Sequence, residues 1–334
     1  MKTLILNQNE ISQLLTMKEC MEVMQKAFLA LAAGQVLLPL RQIILLPGGE
    51  SVLAVMPSYS GPIQSMGAKV ISVFPNNLGT EFDAHQGVVL LFEMQNGCLR
   101  AVMDASEITA IRTAAVSGVA TRALSRQDAN DLAILGSGIQ ARTHLEAMLL
   151  ARNIKRVRVW SRTLANAQRF ASRQSERQKI VVEAVDRAQD AVLGADIICT
   201  VTSSRNPVLQ GEWVEPGAHI NAVGTFGPTS REIDTTTVVR ASLFTDRRES
   251  AMKEAGDFLI PIQEGKLTPN PISGELGEVL AGSVSGRSSD EEITLFKSLG
   301  LAIEDLAAAH YLYERASEKG IGTFVELGGS RHES

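Results

Sequence analysis

Apolar residues recur along this chain with two different periods, and the change of period divides it. Up to about residue 105, short apolar runs alternate with Gly and Pro punctuation. The runs Leu40 to Leu46, Ser51 to Met56, Gly67 to Phe74 and Val88 to Met94 predict strands, separated at Pro47-Gly48-Gly49 and Gly61-Pro62. Asn96-Gly97 predicts a hairpin turn into Leu99 to Met103, and Lys18 to Ala33 predicts a helix, so this region reads as α+β. Ser106 to Leu124 is Ala-rich and helical, with small residues that permit close packing. From Asp131 the pattern alternates. Strands predicted at Leu132 to Leu135, Val157 to Trp160, Ile180 to Val185, Asp196 to Val201, Ala218 to Val223 and Ser242 to Thr245 lie between helical segments, which implies a parallel α/β sheet covered on both faces. Leu295 to Ala316 is predicted helical, with Leu299, Ile303, Leu306 and His310 at three- and four-residue spacing. Gly282 to Asp290, rich in Ser and Gly, reads as a mobile loop.

Composition narrows the class. Of 334 residues, 45% are hydrophobic, enough for a large core and, at this length, for two domains. A net charge of -5 argues against binding of nucleic acid or an anionic membrane. No apolar run is long enough to span a bilayer, and the first ten residues lack a basic-then-apolar order. Cys20, Cys98 and Cys199 are too dispersed for a disulfide framework or a zinc site, so a cytoplasmic location is expected, and no metal is assigned.

Leu132 to Leu135 runs into Gly136-Ser137-Gly138-Ile139-Gln140-Ala141 and then a helical stretch from Arg142 to Ala151. Strand, GxGxxA, helix is the order a dinucleotide pyrophosphate requires. The first Gly makes the turn, the second admits the phosphates, Ala141 lets helix and strand pack, and the helix N-terminus faces the anion. The expected architecture is therefore a doubly wound Rossmann domain over 116–309, beside a discontinuous α+β substrate domain over 1–115 to which 310–334 returns. An NAD-specific site places a carboxylate after the second strand; here Ser161-Arg162-Thr163 follows Trp160, two hydroxyls and a guanidinium suited to a 2′-phosphate. NADPH is expected, with NADH the weaker alternative. The later strand ends, Val201, Thr202, Val223 and Gly224, together with Leu301, are expected to face the same nucleotide.

Three cations interrupt apolar stripes. Arg112 shares a helical face with Ile108, Ala115 and Val119; Lys69 shares a strand face with Ile71 and Val73; Arg41 shares one with Ile43 and Leu45. Unpaired buried cations are costly, so three of them in an acidic protein point to a pocket awaiting a small carboxylate, with Lys69 as the proton donor and His85 lining the same pocket.

Over nearly its whole length the chain resembles the ornithine cyclodeaminase/mu-crystallin family. The resemblance is carried by Gly67-Ala68-Lys69-Val70-Ile71-Ser72-Val73-Phe74-Pro75, His85-Gln86-Gly87, Ile108-Thr109-Ala110-Ile111-Arg112-Thr113-Ala114-Ala115, the GSGIQA loop, Asn221-Ala222-Val223-Gly224 and Lys297-Ser298-Leu299-Gly300-Leu301-Ala302-Ile303-Glu304-Asp305. It implies an NAD(P)-dependent homodimer, paired through the 1–115 domain as its dimerisation domain, with Arg41 and Arg112 as carboxylate ligands, Lys69 as the pocket lysine and Thr113 as a dinucleotide contact. Trp160-Ser161-Arg162-Thr163 resembles the NADPH-using ketimine reductase branch. Cyclodeaminases of the family carry an Asp shortly after the Gly of the Asn-Ala-Val strand, and here Phe226 stands in that place; a phenyl ring moves no protons. The expected activity is reduction of a cyclic ketimine carboxylate, of the pyrroline- or piperideine-2-carboxylate type, to a cyclic L-amino acid. The alternatives are an ornithine cyclodeaminase or alanine-type dehydrogenase, and a non-catalytic NADPH-dependent ligand carrier.

Overall fold

The computed structural model describes residues 2–48, 51–77 and 79–328; Gly49 of the first predicted turn and the end of the predicted 310–334 return lie outside them. In chain order the elements are β1 (Lys2–Leu6), α1 (Gln8–Leu14), α2 (Met17–Ala32), β2 (Val36–Leu37), β3 (Gln42–Leu45), β4 (Val52–Ser60), β5 (Ser65–Val73), β6 (His85–Phe92), β7 (Leu99–Asp104) and α3 (Ala105–Leu124). There follow β8 (Asp131–Leu135), α4 (Ile139–Ala151), β9 (Arg156–Trp160), α5 (Leu164–Gln178), β10 (Val182–Val185), α6 (Ala188–Val192), β11 (Ile197–Thr200) and β12 (His219–Ala222). The chain continues through α7 (Thr235–Arg240), β13 (Ser242–Thr245), α8 (Arg248–Glu254), α9 (Gly256–Gln263), β14 (Ile272–Glu275), α10 (Leu276–Leu280), β15 (Thr294–Lys297), α11 (Ala302–Lys319) and β16 (Thr323–Glu326). Two compact units result, one made of residues up to Arg112 with those from Leu301 on, the other of Thr113 to Gly300.

The first unit is a sheet of order β16-β1-β7-β6-β5-β4-β2, with β3 also paired to β4. Burial alternates along β4, so Ala54, Met56, Ser58 and Ser60 face inward with Lys69 and Ile71 of β5 and Val89 and Leu91 of β6. Helix α11 lies across β4, β5 and β6 and packs on α2, covering that face. Capping boxes, Asn7 with Glu10 and Thr16 with Glu19, start α1 and α2. Strand β4 runs beyond its predicted end at Met56, through Pro57. Its outer partner changes there: β3 pairs Val52 to Val55 and β2 pairs Tyr59 and Ser60, so the proline sits where no ladder donor is needed. The return to this unit begins at Leu301 rather than 310, because the whole of α11 belongs with the sheet.

The second unit is an eight-stranded, all-parallel sheet of order β10-β9-β8-β11-β12-β15-β13-β14. Sequence pattern predicts six of these strands. The predicted helix from Leu295 is corrected at its start: Thr294–Lys297 is the inner strand β15, buried at all four positions, and helix begins only at Ala302. A four-residue run buried on both faces carries no alternation, so its apolar residues merge with the helical stripe behind them. The segment 282–290 is irregular but anchored: Arg287 donates to the carbonyls of Leu124, Ser289, Ala218 and Glu292 and to the Thr294 hydroxyl. Strand order reverses at β8, with β9 and β10 on one side and β11 and β12 on the other. That switch point is where an open parallel sheet leaves a crevice past its strand ends.

Candidate functional site

Two constellations emerge, one in each unit. In the first, Lys69 stands on the inward face of β5 between Met56 and Val89, 3% exposed. Its Nζ lies 2.9 Å from Oδ2 of Asp305 and donates to Asp305 Oδ1 at 3.1 Å and Thr109 Oγ1 at 3.3 Å. Both oxygens of one carboxylate and one hydroxyl thus surround the ammonium. Arg112, also buried, donates from Nε to Asp305 Oδ1 at 3.0 Å and from Nη1 to Glu304 Oε2 at 2.6 Å. Glu304 and Asp305 occupy the first turn of α11, where unpaired backbone N–H groups favour negative charge, and Glu304 accepts from the Leu301 N–H.

This corrects the expectation that the cations await only an external anion. Sequence reasoning missed Glu304 and Asp305 as ion partners; the signal for them was two adjacent carboxylates inside the apolar run Leu301 to Ala309. Lys69 and Arg112 meet two carboxylates, Asp305 and Glu304, inside the unit. Arg41 differs from the other two. It precedes β3, whose residues are all exposed, so no apolar face buries it there, yet its charge reaches Lys69. Burial, Arg112 and Arg41 together draw the Lys69 ammonium down to about 8, while Asp305 holds it up. Burial works against it, but Arg112 and Lys69 keep Asp305 below the ordinary carboxylate range. Burial likewise opposes the Arg112 guanidinium, and Asp305 and Glu304 outweigh it and raise its pKa. His85 opens β6 with one side toward solvent; lost hydration and the charges of Lys69 and Arg112 lower its imidazole. The structure thus brings Arg112 and Arg41 within electrostatic reach of Lys69, and Lys69 and Arg112 within reach of His85.

In the second unit the loop after β8 has the form a pyrophosphate needs. Gly136 turns at φ +130°, and a Cβ there would stand 2.7 Å from the Val201 carbonyl oxygen. Gly138 is the N-cap of α4, makes no side-chain cap, and would point a Cβ into open space. The first N–H groups of α4, from Ile139 and Gln140, are therefore open to an anion, and buried Ala141 closes helix onto strand. Ser137 Oγ donates to Ser161 Oγ at 3.0 Å, tying this loop to the end of β9. Arg162 and Thr163 beside it are exposed, and no carboxylate follows β9. Across the switch point, Val201 N–H continues the ladder to the Leu135 carbonyl, with Thr202, Val223 and Gly224 beyond it at the ends of β11 and β12. Thr113 is buried in α3 where the second unit begins, and Leu301 caps α11 in the first. Within the second unit, the glycine loop and the ends of β9, β11 and β12 have the form that a dinucleotide needs.

A profile of the ornithine cyclodeaminase/mu-crystallin family matches residues 1–320. The ketimine reductase mu-crystallin of Mus musculus is 43% identical over 282 residues, 84% of this chain and 86% of that one. Among solved structures, the Delta(1)-pyrroline-2-carboxylate reductase of Thermococcus litoralis, in complex with NADH and L-proline, superposes with a TM-score of 0.94 at 39% identity, covering 97% of this chain and 100% of that one. An archaeal alanine dehydrogenase dimer with bound NAD gives 0.92 at 33% identity, covering 98% and 100%.

Proposed function

The chain belongs to the ornithine cyclodeaminase/mu-crystallin family, and on that footing we propose that it is an NADPH-dependent reductase of cyclic ketimine carboxylates, yielding cyclic L-amino acids. The observation that carries this reading is the buried Lys69, poised at about 8 beside Arg112 and the Asp305 carboxylate that pairs with both. Reduction of a C=N bond adds a hydride at carbon and a proton at nitrogen. NADPH, when bound, supplies the hydride. The guanidinium groups of Arg41 and Arg112 would hold the substrate carboxylate and fix the ring's orientation. Lys69 holds the proton for the imine nitrogen, and a pKa near ambient pH suits it to give that proton up and recover it. Arg162 and the hydroxyls of Ser161 and Thr163 would bind the 2′-phosphate, which favours NADPH over NADH.

A half-buried apolar sheet face in the first unit supports a homodimer. Tyr59, Met66, Ala68 and Phe92, with exposed Leu37, line a groove of about 500 Å³ on the side away from α11. A second copy of the chain would cover it, and the alanine dehydrogenase relative is itself a dimer. Phe226, 42% exposed, offers no proton acceptor where a cyclodeaminase needs one.

The test is NADPH absorbance with pyrroline-2-carboxylate, piperideine-2-carboxylate and pyruvate plus ammonia, and with ornithine and NAD in the reverse sense. Rapid oxidation with either cyclic imine is expected. Turnover confined to pyruvate and ammonia, or to ornithine, would replace the reading with a dehydrogenase or a cyclodeaminase; none at all would leave a ligand carrier.

A further inference from the structure

Behind the strand ends of the second unit lies a carboxylate that takes no part in the chemistry described above. Glu232 is completely buried, yet its two oxygens accept four hydrogen bonds: Oε2 from Thr200 Oγ1 at 2.9 Å and Gly224 N at 2.6 Å, Oε1 from Thr202 N at 2.6 Å and Thr202 Oγ1 at 2.7 Å. Its own backbone is fixed from behind. Asp257 Oδ1 accepts the Glu232 N–H at 2.9 Å, and Asp257 Oδ2 lies 2.7 Å from Nζ of Lys297, an ion pair with neither side chain exposed. Burying a carboxylate and an ion pair costs more than packing apolar groups of the same size. The strands do not need this help. Ladder bonds already join β11 to β12 from Ile197 with His219 to Thr200 with Ala222. Thr202 and Gly224 lie beyond the ladder, and Gly224 comes so close that a Cβ would stand 2.1 Å from the Thr202 carbonyl oxygen.

We infer that Glu232 is a positioning residue that holds the loops after β11 and β12 in the shape that receives the nicotinamide half of the dinucleotide, without touching the cofactor. A doubly wound sheet binds a dinucleotide as two mononucleotide halves either side of the switch point. The glycine loop and the end of β9 serve the adenosine half, and the ends of β11 and β12, which Glu232 ties together, serve the other. The inference rests on the reading that this unit binds NADPH.

Glu232→Gln keeps the size of the side chain but replaces one accepting oxygen with an NH2 that faces two donors. Affinities of the full-length protein are measured by titration for NADPH and for its adenosine half alone, as adenosine 2′,5′-bisphosphate or 5′-AMP. Expected is a loss of about tenfold or more for NADPH, with the half-ligand unchanged within about twofold. Thr200→Val, which removes one of the four bonds and lies outside the proposed cofactor contacts, is expected to act in the same direction by about threefold and covers the case in which the first variant fails to fold. Equal losses for both ligands, or no loss for either, would overturn the inference, since mere loosening of the fold does not discriminate between the halves. Wild-type protein that binds neither ligand would overturn the cofactor reading and the inference with it.

Discussion

Lys69 and Asp305 form an ion pair of 2.9 Å between a strand and the first turn of a helix, with side chains 3% and 1% exposed. Asp305 is what keeps the lysine protonated near neutral pH against burial and two arginines. Asp305→Asn is therefore expected to move the alkaline limb of the kcat/KM profile below pH 8, because the attraction that raises the Lys69 pKa is gone. Stability should fall by roughly 3–5 kcal/mol in denaturant melts, since two cations stay buried with a single carboxylate between them. A limb that stayed in place would contradict the pairing.

In the unaltered protein, activity should decline as pH rises through about 8, where Lys69 loses its proton. Lys69→Met should remove that limb and lower kcat on the order of 10²–10⁴-fold. A raised KM with kcat intact would reduce Lys69 to a carboxylate ligand.

Arg162→Ala should raise KM for NADPH by about 10–100-fold and change KM for NADH by less than about threefold, because a charge-assisted bond to the 2′-phosphate is lost only with the first. Steady-state kinetics with both nucleotides check this. Parallel shifts would assign Arg162 to neither.

His144 and His219 are buried and neutral, held by burial down to about 4 and about 3. Their ordinary value is 6.5, so between pH 6.5 and these lower values the unfolded chain binds more protons than the folded one. Stability should therefore fall as pH drops below 6.5, by roughly 3 kcal/mol from His144 once the pH is under 4. His144→Gln should flatten that part of the curve of stability against pH, measured by urea melts at stepped pH.

Periodicity exposed much of this, and for a physical reason. Lys69 and Arg112 stand out because a charge in an apolar stripe violates a strong local rule, and the glycine loop because its backbone demands are strict. Arg41 obeyed the alternation it was read from, but Ile43 and Leu45 are 46% and 62% exposed, so that alternation marks no core face. Nothing local pairs Asp305 with Lys69 or Glu232 with Thr202. Those partners meet only through topology, across spans in which no period links them. Strands β1 and β16 were invisible for the related reason that β1 forms between β7 and β16, and β16 pairs with the edge that β1 offers.

The pairing of Lys69 with a carboxylate 236 residues later bears on how the protein is made. A ribosome releases the cations of the first sheet long before it reaches α11, so during synthesis they must remain hydrated, and the sheet cannot close its inner face. Only emergence of the last helix supplies both the apolar cover and the neutralising charge. Truncation before Leu301 should therefore yield a chain that chaperones retain, even though nearly every strand of both sheets has been synthesised.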